Sequence, residues 1–344
     1  MNIFTIGTPR SGANLLRLML NELPRIAAPH PPHILQRMMP LVSNYGDLEK
    51  PENFAQLIED VCRLVELNPV SWSGVTLDRA DIARRSRRRT LLGVHEAVYG
   101  AMAKAWEARS WCDQSLANIA YLPQIEAHYR SPRYIYLYRD GRDVAVSSRK
   151  TPMGEKHFYH LAREWAATQQ LAINMRARIG ANRFFSISYE SLTSQPEMSM
   201  RLLCKFLGVR FNSSMFEFHK SDEARRAAES NDVWSNVVRP IMANNTRKFL
   251  SEASEEDIRL FESVAGHVLT ALGYALTRPL RGARRSISES DVGQYDMENL
   301  RLKAESHRHS DVTHQMHQDR QTTLVHEIRL RGQMAPPSMG VIVR

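Results

Sequence analysis

Cysteine is scarce. Cys62, Cys112 and Cys204 are the only three in 344 residues, and their spacing matches no metal site. A disulfide framework and a cysteine-built metal centre are both excluded as readings, and the three read as reduced, mostly buried thiols of a cytoplasmic protein. No apolar run reaches the ~18 residues that a transmembrane helix needs. No basic-then-apolar stretch precedes the first strand, so no secretory leader is expected. No internal repeat is evident. The basic run Arg84–Arg89 ("RRSRRR") has no aromatic interleaving and no nucleic-acid module is recognisable, so no nucleic-acid partner is expected.

What is present is the composition of a globular domain: 43% hydrophobic and 24% charged residues, with a net charge of +9. The positive balance suits an anionic ligand without choosing one. Apolar residues recur at helical spacing over 52–68, 90–108, 156–179, 195–208 and 255–272. Short apolar runs at 3–6, 134–138 and 183–189 read as strands, and the proline-crowded stretch 22–48 as irregular. Strands alternating with helices predict an α/β fold, a mainly parallel sheet covered on both faces. Beyond residue 276 the composition changes. Residues 277–344 hold one aromatic, Tyr295, and five of the 13 histidines. The boundary is therefore set at 276, between a domain of residues 1–276 and a basic, polar, flexible or partly helical tail. The irregularly spaced His307, His309, His314 and His317 read as solvated rather than metal-binding.

Chemistry concentrates in two stretches. In "IGTPRSGANLL", a strand turns through Gly7 to Gly12 into a helix, and the two glycines are spaced as in G-x-x-x-x-G-K-[ST]. Such a turn offers backbone N–H groups and a helix N-terminus to an anion. Yet Ala13 replaces the phosphate-binding lysine and Asn14 the magnesium-binding hydroxyl, which counts against a P-loop kinase. In "YIYLYRDGRDVAVSSRK", a strand ends at Tyr138 and Arg139 precedes a helix carrying Ser147. That arrangement suits a second phosphate; an ordinary salt bridge between Arg139 and Asp143 is the alternative.

Together these stretches resemble the sulfotransferases that use 3′-phosphoadenosine 5′-phosphosulfate (PAPS). "TPRSGANLL" is similar to their 5′-phosphosulfate loop, and Arg139 with Ser147, eight residues on, to their 3′-phosphate motif. "ISYESLTSQPEMSMRLLCKFLGVRF" and "RPIMANNTRKFLS" resemble later family tracts, so the likeness runs through residues 1–276. The resemblance implies a P-loop-like three-layer α/β/α sandwich and transfer of a sulfuryl group from PAPS to an acceptor hydroxyl or amine, without a metal. It implies donor binding by Arg10, Ser11, Gly12, Ala13, Asn14, Arg139, Ser147, Arg247 and Lys248.

Sulfuryl transfer needs a base and positive charge on the sulfonate. Arg10 is the electrostatic candidate. Family members use a histidine between the two motifs or a glutamate shortly after the first. Where that glutamate would fall this chain reads "APHPPHIL", leaving His30 and His33 as candidate bases and Asp113 in reserve. His33 opens the helical tract "HILQRMM". In "WCDQSLANIAYLP", Gln114 stands where relatives carry a lysine on the leaving oxygen, and Ser115 matches their hydroxyl. Ala13 and Gln114 motivate a second hypothesis, a nucleotide-holding relative that transfers poorly. The acceptor is unnamed by the sequence: small molecule, glycan or lipid. The basic run at 84–89 reads either as a solvated helix face or as a contact to an anionic acceptor or membrane headgroup.

Overall fold

The computed structural model describes residues 1–230, 232–243, 245–277, 287–308 and 312–334. Its centre is a sheet of five parallel strands: β1 (Asn2–Gly7), β2 (Ile26–Ala27), β3 (Ser110–Asp113), β4 (Arg133–Tyr138) and β5 (Phe184–Ser188), in the order β2-β3-β1-β4-β5. Side chains alternate across a strand, and here both faces are buried. Tyr134 and Tyr136 of β4 join Phe4 and Ile6 in one core layer, while Ile135 and Leu137 join Ile3 in the other. The helices Pro51–Glu66 and Leu91–Ala105 cover the first layer, and Ala13–Asn21 and Pro196–Leu207 the second. A third cluster around Phe158, Trp165 and Phe261 binds the helices Gly141–Arg149, Phe158–Ile179 and Glu255–Ala271 together. The expected α/β/α sandwich is what the chain forms.

Two strands escaped the sequence reading. β2 and β3 have two and four residues, too few for a period to register. The stretch 22–48 is also less irregular than expected, containing β2, the helix Ile34–Met38 and the 3-10 segment Met39–Tyr45.

The tail, expected to be flexible or partly helical, forms two helices in its described residues, Glu289–Arg308 and Val312–Met334. Leu324, Val325 and Ile328 lie one and four residues apart, on one helical stripe, and enter the same core as Leu57 and Val61. Gln321 donates to Leu64 O (2.8 Å). Asn299, on the other helix, is buried and accepts from the backbone N–H groups of Lys156 (2.9 Å) and His157 (3.0 Å). Three aliphatic side chains suffice to dock a helix, and a count of aromatics overlooks them. His309 lies outside the described residues, as do the side chains of His314 and His317. Among the described residues, no helix is long and apolar enough to cross a membrane.

Candidate functional site

β1 and β4 are neighbours in register, Gly7 opposite Leu137, so their carboxyl ends open side by side. The chain also reverses its lateral direction around β1, with β3 on one flank and β4 on the other. Crevices at such switch points are where open α/β sheets take ligands.

The loop after β1 is shaped by two glycines. A Cβ at Gly7 (φ +148°) would lie 2.2 Å from Leu137 O, and one at Gly12 (φ +88°) 2.4 Å from the Tyr189 ring. Gly12 is the N-cap of the helix Ala13–Asn21, and among the described residues no side chain caps that helix. Its first-turn N–H groups have no intrahelical acceptor and face the loop. Arg10 and His33 are held at φ 67° and 58°, and Arg247 at 58°. Each non-glycine residue there costs roughly 1–3 kcal/mol, a strain that clusters at binding sites.

Arg139, at the end of β4, reaches back to this loop. Its Nη1 donates to Arg10 O (3.1 Å), its Nη2 to Asn245 O (2.7 Å), and its guanidinium lies 4.4 Å from the Tyr189 ring centroid. Asp143 is 3.6 Å away, so the salt bridge of the alternative reading is present as well. Asp143 does more with backbone: its carboxylate accepts from the N–H of Arg247 (2.7 Å) and Phe249 (3.0 Å), fastening the late loop beside Arg139. Arg10 donates through Nε to Ser147 Oγ (3.0 Å). The structure thus joins the two sequence motifs directly. Ser11 is buried, and Arg247 and Lys248 present exposed side chains at the rim.

The electrostatics are unbalanced. Burial, and then the neighbouring Arg139 charge, lower the pKa of Arg10. Arg139 Nε is enclosed with no hydrogen-bond partner among the described residues. Two crowded guanidiniums, an orphaned donor and an uncapped helix start form a cradle for an anion carrying more than one phosphate-like group.

His30 is buried and fixed from three sides. Asn68 Nδ2 (2.9 Å) and Trp72 Nε1 (2.8 Å) donate to its carbonyl, and its Nδ1 lies 3.3 Å from Asn68 Oδ1. Asn68 Nδ2 also donates to Val70 O (3.0 Å), so the amide oxygen is the end facing the imidazole. That assignment puts the ring proton on Nδ1 and the lone pair on Nε2. Trp234 covers the ring at 4.6 Å. Burial, then the charges of Arg17 and His33, push the His30 pKa well below the usual value. His33 is half-buried, with Nδ1 enclosed and without a partner among the described residues; burial and Arg37 push its pKa down to about 4.

Asp113 is no base in reserve. It is fully buried and accepts five hydrogen bonds, from His95 Nε2 (3.0 Å), Tyr99 OH (2.9 Å), Ser115 N (2.9 Å), Ser115 Oγ (2.7 Å) and Asn118 Nδ2 (2.6 Å). Burial alone would raise its pKa, but these donors, led by His95, hold it at about 2. Its lone pairs are engaged, and Ser115 spends its hydroxyl proton on it. Gln114 is buried beside this web, its Oε1 without a partner among the described residues. Asn68, Trp234 and Asn245 went unnoticed as site partners in the sequence because their roles arise from contacts across the fold. Among the described residues, no cluster of three or more histidine, cysteine, aspartate or glutamate side chains could hold a metal.

Comparison with known proteins gives this geometry a context. Residues 2–213 match the model of the sulfotransferase family. The chain is 24% identical over 279 residues to protein-tyrosine sulfotransferase A of Caenorhabditis elegans, spanning 79% of this chain and 67% of that protein. It is 22% identical over 281 residues to the protein-tyrosine sulfotransferase of Drosophila melanogaster, spanning 79% and 51% respectively. The chain therefore spans about half to two thirds of the length of these curated relatives. Two solved structures share the fold. The sulfotransferase domain of the Synechococcus PCC 7002 olefin synthase has a TM-score of 0.51 and 22% identity, covering 77% of this chain and 94% of that one. The sulfotransferase domain from the curacin biosynthetic pathway has a TM-score of 0.52 and 21% identity, covering 80% and 98%.

Proposed function

This chain belongs to the sulfotransferase family, and on that premise we propose that it transfers a sulfuryl group from PAPS to an acceptor hydroxyl. The observation that carries the donor assignment is the half-buried Arg10 within reach of the charge of the buried Arg139, beside an uncapped helix N-terminus. Like charges so close are costly in isolation and favourable around a polyanion. The N–H groups of Ser11 to Asn14 and the Arg10 guanidinium would hold the 5′-phosphosulfate. Arg139 and Ser147 would hold the 3′-phosphate, with Arg247 and Lys248 closing at the rim. Bound PAPS supplies the activated sulfuryl group, with adenosine 3′,5′-bisphosphate as the leaving group, and no metal is required for the displacement.

The base in this reading is His30, with His33 the alternative. Supporting His30 is its fixed ring, with Nδ1–H given to Asn68 and Nε2 left basic, and a lowered pKa that keeps it neutral at physiological pH. The acceptor to test first is a tyrosine in a peptide, because the curated relatives are protein-tyrosine sulfotransferases. A second reading, nucleotide binding with poor transfer, is favoured by Gln114, which is buried and brings no charge to the leaving group.

Calorimetry with adenosine 3′,5′-bisphosphate in EDTA tests the donor site. Micromolar binding by the wild type is expected, weakened at least tenfold in Arg139→Ala; a loss of 1.5–3 kcal/mol is roughly what one charged hydrogen bond contributes. A folded wild type that binds no nucleotide would sink the reading. Transfer of labelled sulfuryl to the peptide, lost in His30→Ala and kept in His33→Ala, would identify the base.

A further inference from the structure

One guanidinium on the inner face of the helix Ala13–Asn21 ties together pieces that the sequence keeps apart. Arg17 is completely buried. Its Nε donates to Asn14 Oδ1 (3.4 Å), in the first turn of that helix, next to the donor loop. Its Nη1 donates to Ala28 O (3.1 Å), two residues before His30, and to Glu223 Oε1 (2.8 Å) in the helix Asp222–Ser230. Glu223 is buried too, and its second oxygen accepts from Arg226 Nη2 (3.0 Å). The same segment of chain goes on to place Trp234 over the His30 ring. Arg17 Nη2 is enclosed and has no partner among the described residues.

A charge buried this deeply is costly unless something requires it there, and an apolar side chain of similar volume would pack the helix at least as well. What the arrangement achieves is geometric. With its oxygen bonded to Arg17, the Asn14 side chain is tied to the same guanidinium that holds the His30 loop and Glu223. With the Ala28 carbonyl held by the same guanidinium, the His30 loop is fixed to the helix that carries the donor loop.

We propose that Arg17 is a positioning residue for sulfuryl transfer, setting the distance between the donor loop and the His30 loop, with Glu223 as the counter-charge that holds it. This rests on His30 serving as the base. The Arg17 charge also reaches His30 and, after burial, is the next cause keeping that imidazole unprotonated. The charged and titratable groups acting on His30 are Arg17 from the helix and His33 from its own loop; Asn68 and Trp234 are the neutral neighbours.

The test uses the full chain and two variants. Arg17→Lys keeps the charge but loses the fork that spans three acceptors; Arg17→Met removes both. Affinity for adenosine 3′,5′-bisphosphate is expected to stay within about threefold of the wild type in Arg17→Lys. The kcat for peptide sulfation is expected to fall 10- to 100-fold at nearly constant KM, since a misplacement of about 1 Å can cost ~10²-fold. In Arg17→Met the acid limb of the kcat profile is expected to move to higher pH, while in Arg17→Lys it stays in place. A kcat within twofold of the wild type in Arg17→Lys would overturn the proposal, as would a loss confined to nucleotide affinity. If the wild type binds nucleotide but sulfates no peptide, the acceptor assignment fails separately. The positioning role of Arg17 is then judged from ¹⁵N spectra of His30: a locked Nδ1–H tautomer in the wild type that averages in Arg17→Lys supports it, and unchanged spectra refute it. Should Arg17→Met fail to fold, the lysine variant decides alone.

Discussion

His30 and His33 sit where a protonated imidazole would be penalised, by burial and by the nearby cations Arg17 and Arg37. The sign of the pH dependence follows. An ordinary histidine gains its proton near pH 6.5, but His33 does so at about 4, and His30 is also displaced downward. As pH falls through 6.5, both remain neutral and able to accept a proton. The acid limb of kcat/KM for sulfation is therefore expected well below the ordinary histidine range, and a limb centred near 6.5 would exclude both as the base. Stability moves with the same linkage. The unfolded chain takes up protons at about pH 6.5, before the folded one does, so stability present above that pH is lost as it drops toward 4. A urea midpoint lower at pH 5 than at pH 7.5 is the expected result. At this scale the sequence yielded the residue types and not their states. Nothing local in "APHPPHIL" announces Asn68, 38 positions away, as the group that orients one ring. Asp113 illustrates the converse: it looked available as a base, and five donors occupy it, two from His95 and Tyr99 on the helix Leu91–Ala105 and three from Ser115 and Asn118 just downstream.

The elements were legible wherever a period could repeat. The spacing over 52–68 corresponds to the helix Pro51–Glu66, 90–108 to Leu91–Ala105, 156–179 to Phe158–Ile179 and 255–272 to Glu255–Ala271. Alternation in "YIYLY" matched β4 because its two faces meet two different core layers. The last helix failed the same reading, since its stripe of Leu324, Val325 and Ile328 is brief and set among polar residues. What holds it is a surface made elsewhere, by Leu57, Val61 and their neighbours. Replacing Ile328 with alanine is expected to cost about 2–4 kcal/mol, the range for a buried aliphatic side chain. Urea denaturation checks this. A change within 0.5 kcal/mol would mean that the helix contributes nothing to the core.

At the scale of the whole molecule, the positive balance and the site agree in sign. A net charge of +9 and a cleft holding Arg10 and Arg139 should draw in a polyanionic nucleotide through long-range attraction. Raising the ionic strength shortens the Debye length from about 10 Å at 0.1 M to about 3 Å at 1 M. Stopped-flow association of adenosine 3′,5′-bisphosphate is expected to slow several-fold across that range, with the dissociation rate far less affected. An association rate indifferent to salt would confine the basic residues to local roles.

The sequence by itself determined the strand–loop–helix of the first motif, the Arg139–Ser147 spacing and the alternation of strands with helices, because each is fixed by bonds and periods within a few turns of chain. Only the tertiary structure decided that β1 and β4 lie side by side, and hence that Arg10 meets Ser147 across 137 positions. It also decided that Arg17 finds Glu223 across 206. Pairings at such separations depend on which faces the whole sheet must bury, and no local pattern encodes them.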